Sequence, residues 1–221
     1  MKTRVLTAVV GLPAVIALVY FGGAPFLAVI VLLSVLGFVE LFKAFSQDTK
    51  KRHNKLAVGA FGLIYVFGLF ICVFLVREFF GAAATWLIFI AAWGCDTGAY
   101  FVGKAFGKRK LAPRLSPNKT IAGAVGGIVT AAVLCVAYVL ILERFDTTNL
   151  TTLPIYLIAA YGALAAVLAM AGDLFASSIK RKTGVKDFGV IIPGHGGVLD
   201  RFDSILFVAP FALFVLFLFA S

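Results

Sequence analysis

The chain has 221 residues, of which 62% are hydrophobic and only 14% charged, against about 25% charged in an ordinary soluble domain; mean hydropathy is +1.06. A soluble domain of this size cannot bury so much apolar surface, so a soluble enzyme and a disordered chain are excluded and the composition is that of an integral membrane protein. The net charge of +10 would point to nucleic acid in a soluble protein; here it reads as the charge that holds loops on the cytoplasmic side of a membrane, and no nucleic-acid partner is expected.

A transmembrane helix takes roughly 20 residues. Seven spans are predicted, at about 4–22, 25–45, 56–76, 82–103, 120–142, 154–180 and 203–220. The fold class expected is all-α: a polytopic membrane protein embedded in the lipid bilayer with its N-terminus in the cytoplasm. The long unbroken apolar runs argue against a β-barrel, whose strands alternate over about ten residues. Lys2 and Arg4 before the first run imitate a signal peptide, but the run is long and further spans follow at once, so it is kept as a helix. Phe (23) and Gly (22) are both abundant, as lipid-facing surface and close helix contacts require. Cys72, Cys95 and Cys135 all fall in apolar runs with no CxxC spacing, and read as reduced packing residues.

The loops test this map. With the N-terminus inside, the cytoplasmic segments are 1–3, 46–55, 104–119 and 181–202. With the adjoining helix ends they hold 18 of the 20 basic residues; only Arg77 and Arg144 fall on the other side.

Ionisable groups inside spans are costly and usually functional. Asp96 and Asp173 each lie about seven residues before the cytoplasmic end of their span. At 1.5 Å per residue both sit roughly 10 Å below that surface. Each could also be half of a buried ion pair that locks helix packing. The loop after Asp96 alternates glycines with cations from Gly98 to Lys110 and ends in Ser116-Pro117-Asn118-Lys119-Thr120 at a helix start. That combination suits phosphate, although no GxxxxGK[ST] run is present; a loop that merely orients the protein would need the cations alone. In the second long loop Asp200 and Asp203 are spaced i, i+3 and share one face if a helix begins there. With Asp173 they would bring three carboxylates to one mouth, a set suited to a hard cation such as Mg²⁺. His195, between glycines, reads as a residue that orients the loop or donates to phosphate rather than as a metal ligand.

The stretch Ser177–Asp203 resembles the signature of the phosphatidate cytidylyltransferase (CDP-diacylglycerol synthase) family. The pattern is S-x-apolar-K-R, four residues, K-D-x-small, two residues, apolar-P-x-H-G-G-apolar-x-D-R-apolar-D, and every fixed position is met over 27 residues without a gap. The block from Asp96-Thr97-Gly98-Ala99-Tyr100 through Ser116–Thr120 is similar to a second family segment. One departure is Ala176, where many members carry an acidic residue. The resemblance implies transfer of a cytidylyl group from CTP to phosphatidate, dependent on Mg²⁺, in phospholipid biosynthesis; it allows a second cation and a homodimer. It implies a multi-pass protein of the inner (plasma) membrane with its site facing the cytoplasm. Residues 1–80 would form N-terminal helices, and 81–221 a catalytic region with the two basic loops.

The roles implied are catalytic for Asp173, Lys180, Arg181, Lys186, Asp187, His195 and Arg201. Asp96, Ser116, Asn118, Lys119, Thr120, Ser177, Gly194, Gly196 and Gly197 would bind substrate, the three glycines by letting backbone approach the nucleotide. Asp173, Asp200 and Asp203 would hold the metal. A CTP-dependent lipid kinase and a membrane transporter are the alternatives; the complete signature counts against the first, and its confinement to one rim against the second.

Overall fold

The computed structural model describes residues 2–48, 53–145, 153–191 and 196–220. The elements are α1 (Lys2–Phe21), α2 (Gly23–Ser46), α3 (Lys55–Gly62), a π-helical turn (Leu63–Gly68), α4 (Leu69–Phe106), a hairpin of β1 (Lys110–Ala112) and β2 (Ser116–Thr120), α5 (Ile121–Glu143), α6 (Ile155–Thr183) and α7 (Leu199–Ala220). The protein is an all-α membrane protein. Among the described residues five helical stretches are long and apolar enough to cross a membrane: Gly23–Ser46, Lys55–Phe106, Ile121–Glu143, Ile155–Thr183 and Leu199–Phe219.

The expected spans at 56–76 and 82–103 form one 52-residue helical run, more than twice the length a bilayer needs. It is broken at Gly81, whose φ of 82° and ψ of −177° are not helical. That conformation is open to glycine and strained for any other residue, so one glycine divides the run near its middle. The first expected span corresponds to α1, of which Gly11–Phe21 is a shorter apolar stretch. The hairpin was not expected; it occupies the basic loop between α4 and α5, its strands antiparallel with Lys110 opposite Thr120 and Ala112 opposite Ser116.

Arg77, one of the two basic residues assigned to the far side, has a structural task. Its Nε donates to the Val19 carbonyl at 2.5 Å and its Nη2 to the Tyr20 carbonyl at 2.8 Å. These are among the last carbonyls of α1, which no intrahelical N–H satisfies, and a cation there also meets the negative end of the helix dipole.

The helices that carry the site pack through glycine. Gly94 and Gly98 on α4 face α5, while Gly123 and Gly127 on α5 face α4. A Cβ on Gly127 would lie 2.8 Å from the Cys95 carbonyl, and one on Gly98 would overlap Thr130. Lipid gives helices no hydrophobic reason to associate, so this close backbone approach and its van der Waals contact hold the pair. Gly172 does the same for α6 against α7, where a Cβ would fall on the Asp203 carbonyl. The core between helices is apolar, with Leu41, Phe70, Ile88, Leu199, Ile205 and Leu206 fully buried. Cys95 and Cys135 are buried there as free thiols, and Cys72 is partly buried.

Candidate functional site

The glycine contacts press the second half of α4 against the start of α5, and α6 closes the remaining side. Between them lies a cavity of about 250 Å³, lined by Asp96, Tyr100, Asn118, Lys119, Thr120 and Asp173 among others. Residues more than 70 positions apart in sequence thus share one space, and the two intramembrane carboxylates singled out from the sequence both open onto it.

Each lining group is set by its element. The β1–β2 hairpin returns the chain so that Lys119 reaches α6, where its ammonium pairs with the Asp173 carboxylate. Ser177, one turn along α6, places its hydroxyl 3.4 Å from Asp173 Oδ1. Thr120 is the N-cap of α5: its Oγ1 accepts the Gly123 N–H at 3.0 Å. The hydroxyl expected to bind substrate is therefore engaged in ending the strand and starting the helix. Asn118 is exposed on β2 and Ser116 is half-buried at its start. Arg181 reaches back from the end of α6 to the Leu115 carbonyl at 3.4 Å, which ties the hairpin to α6.

Asp203 is buried on α7 and lies within electrostatic reach of Asp173 and Asp96. Its Oδ1 accepts the Ser204 N–H at 2.8 Å. Asp200 goes elsewhere. Its Oδ1 accepts from the Lys180 ammonium at 2.8 Å, and its Oδ2 from the Phe188 and Gly197 N–H groups at 2.8 and 3.0 Å. Lys180 also lies over the Phe188 ring. The expected convergence of Asp173, Asp200 and Asp203 is thus corrected: among the described residues no three His, Cys, Asp or Glu side chains close on one point. The physical reason is that α7 begins at Leu199. Asp200 then falls in the first turn, where its carboxylate folds back over the preceding loop, while Asp203 continues on the helix toward α6. Lys180 likewise meets Asp200 rather than the cavity.

The motif glycines divide in the same way. Gly196 has φ +89° and lies against Asp200; Gly197 packs against the carboxylate of Glu40 on α2. Lys186, Asp187 and Arg201 are exposed. Gly194 and His195 lie outside the described residues. Ala176, at the position of the departure, is fully buried in the helical core.

Two residues near the site went unremarked in the sequence. Glu40 is 2% exposed, and its two oxygens accept the Val198 and Leu199 N–H groups at 3.0 Å each. The signal that would have found it is the one that found Asp96: an ionisable residue inside a span. Tyr65 lies in the π-helical turn, buried, within electrostatic reach of Asp203, and its hydroxyl makes no hydrogen bond among the described residues.

Comparison with known proteins gives the chain its relatives. Residues 43–219 match the model of the cytidylyltransferase family. The chain is 47% identical over 131 residues to the phosphatidate cytidylyltransferase of Bacillus subtilis, an alignment covering 59% of this chain and 46% of the relative. It is 36% identical over 170 residues to that of Thermotoga maritima (76% and 62%) and 44% identical over 127 residues to that of Haemophilus influenzae (56% and 42%). The chain spans about half the length of the curated relatives it matches.

Proposed function

This chain belongs to the cytidylyltransferase family, and on that footing we propose that it transfers the cytidylyl group of CTP to phosphatidate, giving CDP-diacylglycerol and pyrophosphate. The observation that carries the proposal is the meeting of the two motif regions at one cavity, where Asn118 and Lys119 of the block that ends at Thr120 face Asp173, one helical turn before Ser177 opens the signature. A phosphate oxygen of phosphatidate attacks the α-phosphorus of CTP and forms the new P–O bond. The bond from that phosphorus to the bridging oxygen of the β-phosphate breaks, and pyrophosphate leaves with the electron pair. The attacking oxygen is anionic near neutral pH, so no strong base is needed, and the work is positioning and charge neutralisation.

The residues suit these tasks. Lys119, held in the cavity by Asp173, offers a cation to a phosphate that enters there. To the phosphates of the nucleotide we assign Arg181, which reaches the hairpin at the Leu115 carbonyl, and the exposed Lys186 and Arg201, since a guanidinium matches phosphate oxygens as a fork. Asp96, Asp173 and Asp203 present carboxylate oxygens alone, the donor chemistry of a hard cation. Mg²⁺ is commonly held by one or two carboxylates together with substrate phosphates, so Asp173 and Asp203 would suffice. When bound, the ion supplies positive charge to the phosphates as charge builds on the leaving group.

The same reading puts the protein in the inner membrane with this cavity toward the cytoplasm; what supports it is the expected span map, which assigns 18 of the 20 basic residues to one side. CTP then arrives from the cytosol and phosphatidate laterally from the inner leaflet. The test is pyrophosphate release by purified protein in detergent. Release is expected only when CTP, phosphatidate and Mg²⁺ are all present; release that is indifferent to phosphatidate would overturn the assignment.

A further inference from the structure

We propose that Glu40 is a positioning residue for the motif that ends in Asp203: it fixes where α7 begins and so where Asp203 stands beside Asp173. The inference rests on the reading of the site given above. Glu40 belongs to α2 and precedes the family match, which starts at residue 43.

Val198 is the last loop residue and Leu199 the first of α7. N–H groups at a helix start have no acceptor within the helix. A local Ser, Thr, Asp or Asn ordinarily supplies one. Here both N–H groups donate instead to the two oxygens of Glu40, about 158 residues away in sequence, and the negative charge also meets the positive end of the α7 dipole. The cap therefore does a second thing that a local cap cannot: it joins the start of α7 to a different helix.

The loop is shaped around this carboxylate. A Cβ on Gly197 would come within 2.6 Å of both Glu40 oxygens, and one on Gly189 would overlap the same group. Asp200 holds the turn from the opposite side through the Gly197 and Phe188 N–H groups. Gly197 is thus clasped between two carboxylates, one from α2 and one from α7. Asp203 follows Asp200 by three residues, so any shift in the origin of α7 moves it against α6, where Gly172 leaves no slack at the Asp203 carbonyl. α2 itself has other anchors, such as the fully buried Leu41 and the contact of Gly37 with Leu199, so losing the carboxylate need not release the helix.

The experiment uses the full chain in detergent micelles with Glu40→Ala, Glu40→Gln, Gly197→Ala and the double variant Glu40→Ala/Gly197→Ala. Two readouts are taken: hydrogen exchange at the Val198 and Leu199 amides, and kcat and KM for CTP and phosphatidate. Glu40→Ala is expected to lose at least about tenfold of the protection at those two amides and about 100-fold in kcat, with KM little changed, because a displacement near 1 Å costs that much. Glu40→Gln, which keeps the shape and one good acceptor, should fall between it and the wild type. Gly197→Ala should be as damaging alone but add nothing in the Glu40→Ala background, where the methyl enters the space the carboxylate left. Unchanged amide protection in both Glu40 variants, or strictly additive effects of the two substitutions, would overturn the proposal. The exchange readout needs no activity, so a wild type that transfers no cytidylyl group would defeat the proposed function and still leave Glu40 to be judged.

Discussion

Asp200 offers the sharpest separation between a metal ligand and a structural anchor. Its side chain is 5% exposed and that of its partner Lys180 15%. Both oxygens are engaged, one by the ammonium and one by two backbone N–H groups. Asp200→Asn keeps the size but removes the charge, and it turns an NH₂ group toward donors. Breaking a buried pair from one side costs about 3–5 kcal/mol. Lys180 can recover part of this by reaching water, so about 3 kcal/mol is expected. By the scaling for chains of this length, that is a fall in Tm of roughly 6–12 °C. The assay is thermal unfolding in detergent without divalent metal, followed by activity at rising Mg²⁺. The destabilisation should be present without metal, and excess Mg²⁺ should not restore activity. A variant with wild-type Tm whose activity returns at high Mg²⁺ would refute the anchor role and reinstate Asp200 as a ligand.

Three further outcomes follow from the packing and the charge map. Gly98→Ala should destabilise by about 1–3 kcal/mol through overpacking, since its Cβ would fall on Thr130, and Thr130→Ala should recover much of the loss in a melting assay. Arg77→Lys should lower stability by about 1 kcal/mol with turnover unchanged, because a single ammonium replaces a fork that holds two α1 carbonyls. In a Cys-free background, a cysteine at Lys108 should be shielded from an impermeant thiol reagent in intact cells while one at Arg144 is labelled; labelling of position 108 from outside would invert the membrane orientation.

How much of this was legible in the sequence depends on the range of the forces involved. The helices were legible because hydropathy is a local property: α2, α5 and α6 fall within a few residues of the expected spans. Asp96 and Asp173 were legible as a pair because depth in the membrane can be counted along each helix. The division of labour between Asp200 and Asp203 was not, since i, i+3 spacing sets the helix face both side chains leave from but not where each carboxylate then turns, and Asp200, in the first turn, turns back to the Phe188 and Gly197 N–H groups of the loop. Gly197 looked like a place for backbone to approach a nucleotide, whereas its missing Cβ makes room for Glu40. No pattern near residue 40 announces a partner at 198. The position of Lys119 just before the start of α5 is legible, but its pairing with Asp173 depends on a hairpin too short and polar to show strand periodicity.

The central claim, cytidylyl transfer to phosphatidate, is tested most directly by following the two ends of CTP separately. Purified protein, phosphatidate and Mg²⁺ would be incubated with CTP labelled at the α- or the γ-phosphate, and label would be counted in the extracted lipid. The account predicts α-label in the lipid and γ-label in pyrophosphate. Appearance of γ-label in the lipid, with α-label left in CDP, would contradict it and identify a lipid kinase.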